Sequence, residues 1–250
     1  MAQNNSLKIC FIFLFSSIFL PACGQEKVEE PNPFKFLYAI DPYRKNVADS
    51  LKYLLPTLDS ILESDQQYRY GMISNPKGKA AQEKAYANFL SHKKEQQFID
   101  SINLIKVNEI IEKHGWLGYK TIGRQENNAI FFVIQHADIA TQERYLPLIR
   151  EAVTAKNEYP HHLTMIEDRI SLHKNKYQIY GTQILTTPNK NYLFPLIDPE
   201  NVIERRKAIG LDSASFQSYL NQFNIKWDIE TYNKELPTVE KLMKKLYNKK

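Results

Sequence analysis

Glycine and cysteine are the scarce residues of this chain. Eight glycines in 250 residues is about half the usual ~7%, so few positions can take left-handed backbone, and helices are favoured over many tight hairpins. The two cysteines, Cys10 and Cys23, form no CxxC and no Cys/His pairing, which excludes a disulfide-rich scaffold and a structural zinc module. No apolar run reaches the ~20 residues that a bilayer-spanning helix needs. No HExxH, GxGxxG, GxSxG or EF-hand loop occurs, so those metal, dinucleotide and hydrolase chemistries lack their motifs. Residues 71–80 (GMISNPKGKA) imitate a phosphate loop. The glycines are two positions too far apart, however, and Ala80 stands where a hydroxyl must reach magnesium. His161 and His162 are adjacent and point about 100° apart on a helix, so they cannot grip one metal together. The expectation is no metal and no cofactor.

What is present is an ordinary core-forming composition, 43% hydrophobic and 24% charged. It predicts a mainly α protein, a single helical domain over 43–225 with one β-hairpin near residues 177–197. Ahead of it, Ile9 to Leu20 is a twelve-residue apolar run preceded by Lys8, the pattern of a secretory signal. The run ends in Leu20-Pro21-Ala22-Cys23, which resembles the bacterial lipobox. That resemblance implies a signal peptide over 1–22, lipid on Cys23, and a protein held to the membrane by that lipid in the cell envelope, outside the cytoplasm. Gly24 rather than Asp after the cysteine resembles the pattern of passage to the outer membrane. Gln25 to Pro33 (QEKVEEPNP) cannot bury a face, so 23–42 reads as a tether.

Apolar residues at steps of three and four predict a helix over 47–62, interrupted at Pro56. A second is predicted from Gln82 to Lys113, with Phe98, Ile102, Ile105, Ile110 and Ile111 as its apolar face. The run AIFFVI within 127–135 has no periodicity and fits a buried helix, given the helical patterns on both sides. Further helices are expected near 145–153, 163–170, 199–209 and 213–223. Tyr177 to Leu185 and Tyr192 to Ile197 read as paired strands. The carboxyl end, 226–250, reads as a basic amphipathic helix: from Lys234 on it holds six lysines and two glutamates. Because the positive excess is concentrated there, nucleic acid is not an expected partner. A packed terminal helix with a solvated lysine face, or contact with anionic lipid, are the two readings.

Between Ile61 and Leu211 a series of short motifs recurs in order: Asp65-Gln66 with Arg69, His114-Gly115-Trp116 with Gly118, Gln135-His136-Ala137-Asp138 with Gln142, Asp168-Arg169, Tyr180-Gly181-Thr182-Gln183, and Asp198-Pro199 with Arg205-Arg206. In this order they resemble a bacterial family known as domain of unknown function 6624. Leu117 departs from the proline expected between Trp116 and Gly118. The resemblance implies no substrate and no reaction.

Read as chemistry, His136 is a candidate general base and Asp138 the acid that orients it, or the cap of the following helix. Asp65 and Arg69 have the spacing of a helical ion pair. Arg169 borders a buried face and needs a carboxylate partner or a bound anion. Together with Asp65, Arg69, Asp168, Tyr180 and Gln183, and with Trp116 and Gln135 from the family motifs, they form the candidate ligand-binding set. The leading expectation is a polar pocket, gathered from His136, Asp138, Arg169 and Gln183, for a small or anionic ligand. The rivals are a metal-independent hydrolase or transferase with His136 as base, and a structural or partner-binding envelope lipoprotein.

Overall fold

The computed structural model describes residues 8–9, 39–69, 84, 87, 88, 90–187 and 190–247. Most of the expected signal peptide, Cys23, the tether up to residue 38 and the segment 71–80 lie outside the described residues. The architecture is mostly helical with a small antiparallel hairpin, as the composition and spacing predict. The chain divides into two compact units. Described residues within 39–141, with 154–158, make one. The other comprises 142–153 and 159–247, with 8–9.

In the first unit, α1 (Pro42–Lys45) starts at Asp41. This buried carboxylate accepts from the amides of Tyr43 at 2.9 Å and Arg124 at 2.6 Å, so one acid caps the starts of two helices. A 3₁₀ segment, Asp49–Leu54, runs straight into α2 (Leu55–Gln66). Pro56 sits in the first turn of α2, where its missing amide costs nothing, and the change of helix type is the interruption expected there. Leu58, Ile61 and Leu62 form the buried face of α2. After α3 (Lys93–His114) and the short α4 (Tyr119–Ile122), α5 (Arg124–His136) carries AIFFVI, buried throughout. The run is a helix because α5 packs against both α2 and α3, leaving no solvated side for a polar stripe.

Helix α3 departs from expectation. Its buried residues are Gln96, Asn103, Val107, Ile110 and Ile111, whereas Phe98, Ile102 and Ile105 are exposed. Apolar spacing holds at Ile110 and Ile111 and fails at Phe98, Ile102 and Ile105, where the buried positions are the polar Gln96 and Asn103.

In the second unit, α6 (Ile139–Thr154) contributes 142–153. It is followed by α7 (Pro160–His173), buried from His162 to Ile170. The hairpin pairs β2 (Ile184–Thr186) with β3 (Asn191–Leu193) in the register Ile184↔Leu193, Leu185↔Tyr192, Thr186↔Asn191. A two-residue strand, β1 (Lys8–Ile9), lies antiparallel along β2. The hairpin falls inside 177–197, but its first strand is shorter than expected: Tyr177 to Gln183 is a loop. Alternation along the strands sends Ile184 and Leu193 into a cluster with Val202, Phe216, Leu220 and Tyr232, and Leu185 into another with Leu172, Phe194, Val239 and Met243. Then come α8 (Val202–Ala208), α9 (Ser213–Asn221) and α10 (Ile229–Tyr247). Helix α10 buries Tyr232, Val239 and Met243 and leaves Lys234, Lys241, Lys244 and Lys245 exposed. No described helix is long and apolar enough to cross a membrane.

Candidate functional site

A group of buried charge in the first unit forms at the carboxyl end of α2. Asp65, fully buried, accepts a 2.6 Å hydrogen bond on Oδ2 from the Gln66 amide and shares 2.9 Å between Oδ1 and His136 Nδ1. Arg69, just past the helix, reaches back. Its Nη1 donates to the Asp65 carbonyl at 2.7 Å and lies 3.3 Å from Asp65 Oδ1. Its stronger partner is Asp100 on α3, which it grips with both nitrogens at 2.8 and 2.6 Å, the paired geometry that guanidinium and carboxylate favour. Gln96, one turn before Asp100, donates to it at 2.9 Å, and Asn103 donates to Ser64 of α2 at 3.0 Å. The polar inner face of α3 therefore exists to serve this cluster. The His136 side chain is 8% exposed and that of Asp100 24%, so the group opens toward solvent on the Asp100 side.

Burial holds the His136 imidazole below its ordinary value, against the pull of Asp65 and helped by Arg69. Burial alone would raise the Asp65 carboxyl, but His136, Arg69 and the Gln66 amide outweigh it and hold Asp65 below the usual range. The pair at neutral pH is thus an ionised acid and a neutral ring. Nδ1 carries the proton it donates to Asp65, and Nε2 keeps the basic lone pair. Two carboxylates against one guanidinium leave this group with one net negative charge. Among the described residues, the amide oxygens Gln66 Oε1 and Gln96 Oε1 are buried without a hydrogen-bond partner. Their orientations are fixed, since each Nε2 donates to a carboxylate. The site therefore has a surplus of acceptors.

Asp65, Asp100 and His136 also offer donor atoms within 4.8 Å of one another, a set able to hold a metal ion. Arg69 already stands between the two carboxylates and supplies the cation there, so an ion would have to displace it.

Asp138 accepts from the Thr141 amide at 2.8 Å as the cap of α6, and that bond holds its carboxyl below the usual range. The acid that meets His136 is Asp65. Gln135 is fully buried on α5. Trp116 donates from Nε1 to Glu158 at 2.6 Å, and Asn127 donates to the same buried carboxylate at 2.6 Å. This pins the 115–118 turn to 154–158. There a Cβ at Gly118 would lie 1.7 Å from the Asn157 carbonyl, so glycine is required.

Asp168, Arg169, Tyr180 and Gln183 belong to the second unit. Asp168 is fully buried and accepts from the amides of Ile179, Tyr180 and Thr182 at 2.5, 2.9 and 2.8 Å, and from the Thr182 hydroxyl at 2.8 Å. These amides are consequently absent from the strand ladder, which is why β2 begins only at Ile184. Burial pushes the Asp168 carboxyl up to about 6 in spite of those donors. Gly181 has φ +76, and a Cβ there would lie 2.7 Å from the Phe216 ring; the gap left by this glycine is filled by packing. Gln183 exchanges hydrogen bonds with Gln178, its amide donating to Gln178 Oε1 at 2.9 Å. Arg169 is buried on α7 near Tyr247. The structure thus gathers Asp65, Arg69 and His136 in one unit, and builds around Asp168 a clamp on the 179–182 loop in the other.

Asp100 and Gln96 were not singled out from sequence, and Gln66 entered only as part of a family motif. A signal existed: Gln96, Asp100 and Asn103 recur at steps of four and three on the half of α3 opposite Phe98, Ile102 and Ile105.

Neither the curated proteins nor the solved structures yield a match to the chain. The model of a family of unknown function, DUF6624, matches residues 58–227, which includes Asp65, Arg69, Asp100, His136 and the Asp168 clamp. That span is more than half of the sequence, and the chain belongs to this family.

Proposed function

We propose that the protein is a lipid-anchored protein of the bacterial cell envelope, exported and held through Cys23, whose family domain binds a small ligand rich in hydrogen-bond donors. The lipobox-like Leu20–Cys23 after a twelve-residue apolar run supports the anchor and, with Gly24, an outer-membrane address. The observation that carries the ligand reading is the acceptor surplus around Asp65: two carboxylates, one guanidinium and two amide oxygens that no donor among the described residues meets. Unmet buried acceptors cost about 1–3 kcal/mol each, and a donor such as an ammonium group removes that cost. A cationic or amine-bearing ligand is therefore favoured over the anionic one expected from the sequence around Arg169.

A second reading has its own observation. The 2.9 Å contact between His136 and Asp65 is the arrangement that orients an imidazole as a general base, which makes His136 a proton acceptor for a bound ammonium or hydroxyl.

A thermal-shift screen of the detergent-solubilised full chain tests the binding reading. Primary amines and polyamines raise the melting temperature, carboxylates do not, and Asp100→Asn loses the response. Stabilisation by carboxylates alone, or by neither class, contradicts it. The mass of the mature amino-terminal peptide tests the anchor: a diacylglycerol adduct on Cys23 is expected, and an unmodified Met1 rules it out.

A further inference from the structure

Helix α3 has two faces, and among the described residues only one packs within the chain. Its inner face serves the Asp65 cluster. Its outer face carries Phe98, Ile102 and Ile105, which are 68%, 38% and 56% exposed. At about 100° per residue, Lys94, Phe98, Ser101, Ile102, Ile105 and Glu109 fall within one arc of about 100°. All six are exposed. Among the described residues neither Lys94 nor Glu109 makes an ion pair, and nothing covers the three apolar side chains. Three large apolar residues in a row on a 22-residue helix are more than the scattered exposure of an ordinary surface.

The stripe is self-complementary. It reads basic, apolar, apolar, acidic along the helix, and a twofold axis passing between residues 101 and 102 maps it onto itself. Two copies of α3 laid antiparallel in that register set Phe98 of each against Ile105 of the other, and Lys94 of each against Glu109 of the other. The same patch serves both copies, as an isologous interface requires. An anionic bilayer suits the stripe less well, since Glu109 and Glu112 flank its carboxyl end where a membrane-facing helix would carry lysine or arginine.

We propose that the outer face of α3 is a self-association surface, on which a second copy of this chain docks its own α3 antiparallel, with the two Ser101 residues beside the axis. A single helix pair makes a contact of modest size, so the association is reversible in solution. The inference is independent of the ligand reading and of the anchor.

Cysteine cross-linking of the detergent-solubilised full chain, combined with charge reversal, provides the test. Ser101→Cys is expected to form a disulfide-linked dimer on mild oxidation, whereas Glu112→Cys, on the same face but one helix-length from its symmetry mate, does not. By sedimentation velocity, Lys94→Glu and Glu109→Lys each weaken self-association roughly tenfold, because two attractive pairs per dimer become repulsive. The double variant restores it. Phe98→Ser abolishes it with an unchanged melting temperature, since the side chain is outside the core. A monomeric wild type, equal cross-linking at both cysteines, or a double variant no better than the singles overturns the proposal. So does loss of vesicle binding, rather than of self-association, in Phe98→Ser.

Discussion

Asp65 and His136 are 71 residues apart in the chain and meet across 2.9 Å, Oδ1 to Nδ1. Neither has its partner within its own helix. The contact exists because α2 and α5 pack face to face through Leu58, Ile61, Leu62 and the enclosed AIFFVI run, which makes the site a product of the core.

The pair should make stability depend on pH in a definite direction. The folded state holds His136 below its ordinary 6.5 and Asp65 below its ordinary 3.8, so in both windows the unfolded chain binds more protons. Stability from these groups is fully present above the unfolded value and is lost as pH falls through the folded one. Urea unfolding of the wild type and His136→Gln at a series of pH values checks this. The wild type is expected to lose stability relative to the variant as pH drops below about 6.5. A difference that grows in the opposite sense contradicts the assignment.

Removing the acid should cost much more than neutralising it. Asp65→Ala leaves His136 Nδ1, the Gln66 amide and part of the Arg69 guanidinium without their acceptor, and is expected to destabilise by about 3–5 kcal/mol. Asp65→Asn keeps one acceptor oxygen and should cost roughly half as much. Denaturant midpoints at constant slope measure both; equal costs would mean that the hydrogen bonds contribute little.

Arg69 is the resident cation of the cluster. Its removal in Arg69→Ala should leave Asp65, Asp100 and His136 as an open donor set, with donor atoms within 4.8 Å. Zinc is then expected to raise the melting temperature of the variant by several degrees and to leave the wild type unchanged. A zinc response as large in the wild type would assign the site to a metal instead.

Much of the fold was legible in the sequence, and the reasons for the exceptions are local. The AIFFVI run, the hairpin within 177–197 and the basic amphipathic end are visible because each is governed by apolar patterning or turn chemistry. On the first half of α3 the same patterning misleads: the inner face is polar at Gln96, Asp100 and Asn103 because it serves Arg69 and Ser64, and the outer face is apolar at Phe98, Ile102 and Ile105 without a partner among the described residues. Tyr180 and Thr182 look like strand residues by composition, yet a carboxylate twelve and fourteen positions upstream captures their amides. At the site, His136, Asp65 and Arg69 stood out one by one. That His136 belongs with Asp65 and not with the nearby Asp138 depends on helix packing, which spacing along the chain does not encode.

The Asp168 clamp predicts two substitution effects with one cause. Asp168→Ala orphans three backbone amides and the Thr182 hydroxyl, and is expected to cost at least about 4 kcal/mol. Gly181→Ala forces a left-handed residue to carry a Cβ against Phe216, and should cost about 1–3 kcal/mol. Unlike the His136 pair, Asp168 is raised, to about 6. Its contribution is therefore present below its unfolded value of 3.8 and is lost as pH rises through about 6. Comparing wild type and Asp168→Asn across that range by chemical denaturation separates it from the histidine.

Ring nitrogen chemical shifts of ¹⁵N-histidine-labelled full chain at pH 7 test the central assignment most directly. His136 is expected to be neutral with its proton on Nδ1, to shift in Asp65→Asn, and to move again when an amine is added. A charged ring, or a proton on Nε2, would contradict the account.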